Sequence, residues 1–286
     1  AYAIGANDLH FENLIAAGEQ PVVIDLETIL CHSPIETVYG AEADDVLKTV
    51  FFESPIRTGL LPRWQTGEGI PVDVSGLGAV SAQRSRIPIP RWRDVGTDLM
   101  ELTYETVEGT FGPNAPVLRG VPLSPNDYLE TIAAGFTQTY HLLVDVRDRL
   151  LTAGGPLDAL RDLDVRFIYR PTAFYLMTAK SARRPHLLRE GVDRSIHLEL
   201  VAAPLLFAQS RPLGWPLVAP ELAALEIEDC PYFVAPVRSQ GIVDPRGGTI
   251  EGVLEAACFD QMTARIARLD AADLRNQLGL VHASFD

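Results

Sequence analysis

Asn7-Asp8-Leu9-His10-Phe11-Glu12-Asn13, with Asp25 twelve residues further on and Glu27 just after it, is the stretch on which the reading of this chain turns. It has the form D-x-H-x-x-N. Between its two parts lie a Gly18-Glu19 turn and the apolar run Pro21-Val22-Val23-Ile24, which predicts a short buried strand. The pattern therefore sets an Asp, a His and an Asn on a polar loop, then a carboxylate where a strand ends, and such strand-end loops are where sites gather. Phosphoryl transfer needs a carboxylate near the attacking hydroxyl. It also needs an amide and a carboxylate to hold magnesium on nucleotide phosphates. On this reading Asp8 and His10 face the acceptor hydroxyl, while Asn13 and Asp25 hold the metal. The motif by itself leaves other readings open. Polar turns favour Asp and Asn for their own local hydrogen bonds. His10 alone reads as a structural imidazole, and with Cys31 and His32 as part of a zinc site, for which a fourth ligand at sensible spacing is missing.

The rest of the chain frames that site. Its 286 residues are 47% apolar and 22% charged, enough to bury one extended core or two smaller ones and too apolar for disorder. No apolar run approaches the ~18 to 20 residues of a membrane span, and the first residues carry no signal-peptide pattern. A cytoplasmic protein without a membrane span is expected. Cys31, Cys230 and Cys258 are an odd number at long spacings and predict reduced, mostly buried thiols. The formal net charge of −14 argues against nucleic acid as a partner. Its distribution is uneven: Arg166, Arg170, Lys180, Arg183, Arg184, Arg189 and Arg194 face only Glu190 and Asp193 within their stretch, and Arg84, Arg86, Arg91 and Arg93 form a second basic island. Such islands suit a small, highly charged anion such as a phosphate, or equally an ordinary solvated surface.

Helical periodicity predicts a long helix from an N-cap at Ser124, with Pro125 at N1, to Gly154-Gly155. Further helices are expected over 41–52, 172–182, 192–209, 220–228, 250–269 and 271–282. Val165 to Tyr169 alternates like a strand, and 53–120 is rich in Pro and Gly with isolated short strands. The expected fold class is α+β, one mainly helical unit with a small sheet.

Beyond composition and spacing, the stretch from Asp8 to Thr28, DLHFENLIAAGEQPVVIDLET, resembles the catalytic segment of class II (LanM-type) lanthipeptide synthetases nearly residue for residue. Arg57-Thr-Gly-Leu-Leu-Pro62 with Val74-Ser-Gly-Leu-Gly78, the Arg166-Phe-Ile-Tyr-Arg-Pro-Thr172-Ala-Phe-Tyr175 block and Asp229-Cys-Pro-Tyr-Phe233 match later family blocks in the same order. The resemblance implies the C-terminal lobe of a kinase-like, lipid-kinase-like dehydratase domain spanning 1–286. With ATP and magnesium it would phosphorylate Ser or Thr of a precursor peptide (leader plus core), then eliminate the phosphate to give dehydroalanine or dehydrobutyrine. By carry-over, Asp8, His10, Asn13, Asp25 and Glu27 belong to the phosphorylating set, with Asp8 a candidate elimination base as well. Arg166 and Thr172 belong to the eliminating set, a cation and a hydroxyl that neutralise charge on a departing phosphate; a Thr after Pro171 also suits a helix cap.

Only seven residues precede Asp8, and the first is Ala1. The lobe carrying the phosphate-gripping lysine is therefore expected on a longer parent chain, as is the zinc-bearing cyclase domain, and the fragment is expected to be inactive alone. Two other function classes remain: a plain kinase, needing Asp8, Asn13 and Asp25 but not Arg166 and Thr172, and a non-catalytic pseudokinase-like peptide-binding module, in which the metal-binding pair would be lost.

Overall fold

The computed structural model describes residues 1–31, 53–62, 64–67, 70–78, 83–84, 88–106, 108–109, 114, 116–207, 212, 214–254 and 256–285. The helix expected over 41–52, His32 and Arg86 lie outside the described residues, as does the side chain of Arg84.

The elements run β1 (Leu14–Ala17), β2 (Gln20–Val23), a 3₁₀ turn Pro55–Thr58, β3 (Trp64–Gly67), β4 (Ile70–Asp73), β5 (Gln83–Arg84), β6 (Ile89–Arg93), β7 (Glu101–Glu105), β8 (Glu108–Gly109), β9 (Val117–Leu118) and β10 (Val121–Pro122). They continue with α1 (Leu129–Asp145), α2 (Arg147–Leu151), β11 (Asp164–Phe167), α3 (Thr172–Ala182), α4 (Gly191–Leu198), α5 (Val218–Glu226), β12 (Phe233–Pro236), β13 (Ile242–Val243), β14 (Thr249–Ile250), α6 (Cys258–Ala267) and α7 (Ala271–Ala283). This is an α+β fold. Its one larger sheet is the antiparallel β11-β12-β13-β14, and the remaining strands pair two by two.

The main core forms where that sheet meets α6. Val165 and Phe167 of β11, Phe233 and Ala235 of β12, and Ile242 pack with Met262 and Ile266, and Leu30 enters the same cluster from the loop after β2. Full burial of one such side chain is worth roughly 1.5–3 kcal/mol, so Leu30 fixes the end of that loop against β11. A second cluster joins Tyr175 and Ala182 of α3, Leu198 of α4, Val201 of the 3₁₀ stretch that follows it, and Leu225 of α5.

Several expectations change. The Pro21–Ile24 run forms a strand but is not buried, with Val22 42% and Ile24 55% exposed. A two-stranded hairpin covers neither of its own faces, and burial is decided by what packs on it. The helix expected from Ser124 begins as a 3₁₀ turn, Pro125–Tyr128, and is divided at Val146 into α1 and α2; Ser124 makes no side-chain cap. The helix expected over 192–209 ends at Leu198 and tightens into a 3₁₀ stretch containing Pro204, which lacks the amide an α-turn needs. The helix expected over 250–269 starts only at Cys258, because Thr249–Ile250 is taken by the sheet. Among the described residues no helix is long and apolar enough to cross a membrane.

Candidate functional site

Residues 7–13 are a loop, and the backbone around them explains why they hold a shape. The amides of Asn7, Leu9 and Phe11 donate to the carbonyls of Thr28 (3.1 Å), Thr58 (2.8 Å) and Val74 (3.2 Å), and His10 forms a β-bridge with Ser75. Thr28 Oγ1 donates to the Asn7 carbonyl at 2.6 Å. Close approach requires glycine: a Cβ at Gly76 would lie 2.6 Å from the Leu9 carbonyl oxygen, and one at Gly59 would lie 3.1 Å from the Leu9 nitrogen. The two blocks 57–62 and 74–78 are thus the walls of a clamp. Arg57, itself buried, anchors its side by donating to the Cys31 carbonyl.

Within this clamp Asp8 adopts a left-handed backbone (φ 58°), a conformation that costs a non-glycine residue ~1–3 kcal/mol and concentrates at functional positions. Asn13 is oriented by its Nδ2, which donates to the Asp8 carbonyl at 3.0 Å. The His10 ring lies between the Glu12 amide at Nδ1 (3.2 Å) and the Asn13 amide at Nε2 (3.3 Å); a neutral imidazole accepts at one nitrogen only, so the tautomer selects between them. β1 and β2 pair with Leu14 opposite Val23, and the Ile24 amide donates to the Asn13 carbonyl at 3.0 Å. Asn13 and Asp25 therefore flank the open end of one hairpin.

Oxygen ligands suit magnesium, which near nucleotide phosphates takes one or two protein ligands and completes its shell with phosphate and water. Among the described residues Asn13 Oδ1 and Asp25 Oδ2 engage in no hydrogen bond, while Asp25 Oδ1 accepts from the Glu27 amide at 3.0 Å. The donor set fits that ion. Among the described residues no group of three or more His, Cys, Asp or Glu side chains is arranged to hold a metal by itself. Burial pushes the Cys31 thiol up.

The two distant sets of sequence-predicted residues meet at Glu27. Its carbonyl accepts from the Arg166 amide at 3.2 Å, and its carboxylate pairs with the Arg166 guanidinium. That guanidinium also donates to Thr172 Oγ1 at 3.4 Å and lies 5.4 Å from the centre of the Tyr232 ring. Glu27, grouped by sequence with the nucleotide side, thus bridges both sides. Thr172 is the first residue of α3, not its cap: Pro171 occupies the cap position, and no side chain caps the helix. Its exposed hydroxyl faces Arg166 instead.

Sequence reasoning missed what holds Thr172. Arg170 Nε donates to Glu221 Oε1 at 2.6 Å, Arg170 Nη2 to Oε2 at 3.3 Å, and the Tyr175 hydroxyl to Oε1 at 2.6 Å. Glu221 is wholly inaccessible. Burial pushes its carboxyl up, but three donors on its two oxygens fit the ionised form. Burial, then the charge of Glu221, holds the Tyr175 hydroxyl far above its ordinary range. The triad ties α3 to α5 on both sides of Thr172. Arg170 and Tyr175 were visible as part of a block and Glu221 was not. Tyr232 lay in the Asp229–Phe233 block, whose Phe233 turns into the core while Tyr232 turns to Arg166.

An α+β protein in which a clamped D-x-H-x-x-N loop and its following carboxylate converge with an Arg–Thr pair is the class that fold and site define. The chain belongs to the DUF4135 family, described as "Domain of unknown function (DUF4135)", which matches residues 1–236. It is 26% identical over 293 aligned residues to the "Lacticin 481/lactococcin biosynthesis protein LcnDR2" of Lactococcus lactis subsp. lactis. The alignment covers 99% of this chain and 30% of that protein's length. These two findings bear out the resemblance to class II lanthipeptide synthetases read from the sequence blocks.

Proposed function

We propose that this chain takes part in lanthipeptide maturation as the catalytic-loop portion of a kinase-like dehydratase acting on Ser and Thr of a precursor peptide. The observation that carries the reading is the meeting of Glu27, Arg166 and Thr172, drawn from stretches some 140 positions apart. A plain kinase needs the Asp8, Asn13 and Asp25 set. It has no use for a guanidinium and a hydroxyl held 3.4 Å apart beside Glu27.

Magnesium nucleotide, when bound, supplies the transferable phosphoryl group and neutralises its charge, with Asn13 and Asp25 as the protein ligands. Asp8 takes the proton of the attacking Ser or Thr hydroxyl, and its strained backbone, fixed by the Asn13 amide, sets the direction of that carboxylate. His10, on the same loop, lines the acceptor side. In the second half-reaction a base removes the α-proton, the Cα–Cβ double bond forms, and the Cβ–Oγ bond breaks with its electron pair leaving on phosphate. Arg166 and Thr172 donate to that phosphate as its charge grows; preorganised donors of this kind are each worth ~10²- to 10³-fold. Glu27 holds the guanidinium in place while no phosphate is present.

The test incubates the full-length enzyme with a candidate precursor peptide and magnesium ATP and follows the peptide by mass spectrometry. Loss of one water per modified residue is the expected outcome. A stable gain of one phosphate with no loss of water would replace this reading with that of a plain kinase, and an unchanged peptide that is nonetheless bound would favour a non-catalytic module.

A further inference from the structure

α3 begins at the site and leads away from it. Thr172, its first residue, faces Arg166. Phe174, Tyr175, Ala179 and Ala182 turn inward against α4 and α5. The outer face then presents Leu176 and Met177, 61% and 68% exposed, followed by Lys180 and, just past the helix end, Arg184. Two neighbouring cations are engaged: Arg183 with Glu228 at 2.7 Å, and Arg194 with the carbonyls of Leu225 and Glu226. Among the described residues Lys180 and Arg184 have no carboxylate partner. Two uncommitted cations thus lie beyond an open apolar step in a chain of net charge −14.

We infer that the exposed face of α3 is the track for the substrate segment next to the modified residue, and that this segment is apolar first and acidic further out. The inference rests on the reading of Arg166 and Thr172 as the phosphate-release site. It also follows from continuity: a phosphoseryl side chain that reaches Thr172 brings its own backbone over the first turn of α3, so that end of the face stays open to substrate. Met177 adapts to varied apolar partners, as a track for several sequences requires. The eight-residue step from Thr172 to Lys180 spans ~12 Å of helix, which an extended peptide covers in about four residues. An acid is therefore expected about four to six positions from the modified Ser or Thr.

The experiment uses the full-length enzyme and synthetic fluorescein-labelled phosphoserine peptides with Leu and Val beside the phosphoserine. Glu or Lys is placed at the fourth to sixth positions, to either side in separate peptides. Binding is read by fluorescence anisotropy and turnover by release of inorganic phosphate. The native enzyme is expected to favour a Glu peptide. The double variant Lys180→Glu/Arg184→Glu, exposed and so compatible with an unaltered melting temperature, is expected to lose about tenfold in affinity and kcat/KM for that peptide, mostly in KM. It should gain for the matching Lys peptide. Leu176→Ser/Met177→Ser is expected to weaken both peptides alike. Equal binding of Glu and Lys peptides by the native enzyme, or a charge-reversed variant that distinguishes them as the native enzyme does, overturns the track. Charge-selective binding that follows Lys180 and Arg184 without any phosphate release overturns the reading of the site and leaves the track standing.

Discussion

β2 and β11 are strands of four residues, and each delivers charged residues to the same site, yet they are held in opposite ways. β11 lies in the four-stranded sheet with Val165 and Phe167 each 5% exposed, so Arg166 projects from a packed core. β2 belongs to a lone hairpin whose Val22, followed by Ile24 and Leu26, faces outward. It is tied to the preceding loop by the Ile24 amide, which donates to the Asn13 carbonyl, and the segment after it is tied to β11 by the Glu27–Arg166 pair and the buried Leu30. The Arg166 half is positioned by burial of its own strand, whereas the Asp25–Glu27 half rests on Leu30, buried further along its loop, together with polar contacts, which are geometrically stricter.

Five substitutions would break or sharpen this picture. The largest effect is expected on turnover. Asp25→Asn should abolish phosphorylation of the precursor peptide, whereas Arg166→Met should leave phosphopeptide behind with elimination slowed ~10²- to 10³-fold, both read by mass spectrometry. Full dehydration by the Arg166 variant would remove its assigned role. Next is Glu221→Ala, which strands the Arg170 guanidinium and should cost about 3–5 kcal/mol in denaturant unfolding; a cost within the error of the measurement would show that the triad does not hold α3. Gly76→Ala should lower the melting temperature, misplace the Asp8 loop and slow phosphorylation by up to ~10²-fold. Unchanged kinetics would show that the clamp yields without moving the loop.

The smallest effect concerns Asp270, the cap of α7, whose carboxylate accepts from the Ala272 and Asp273 amides at 2.8 Å. Those bonds hold its carboxyl below the usual range. A folded-state value below the unfolded one means that the stability it contributes is present above the unfolded value and is lost as pH falls through the folded one. Asp270→Ala should therefore lower the melting temperature slightly at neutral pH and not at strongly acidic pH. A deficit that persists in acid would point to lost packing rather than a lost cap.

Much of this was legible along the chain. α3, α5 and α7 stand within two residues of where periodicity put their ends, because an amphipathic or capped helix is written in local spacing. The set Asp8, His10, Asn13 and Asp25 was legible for the same reason, since its members lie on one hairpin and the loop before it. Arg166 and Thr172 entered only through the family resemblance. Glu221 was not legible at all: a glutamate on a short helix reads as a solvated side chain, and its partners lie 46 and 51 positions away.

The sequence by itself determined which residues carry charge, which segments coil or extend, and where the D-x-H-x-x-N motif lies, since these follow from side-chain chemistry and near-neighbour spacing. Only the tertiary structure decided that β2 is exposed, that Glu27 joins Arg166, and that Glu221 is buried against Arg170 and Tyr175. Each of these depends on contacts between segments far apart in the chain, and no local pattern encodes the surface against which a residue finally packs.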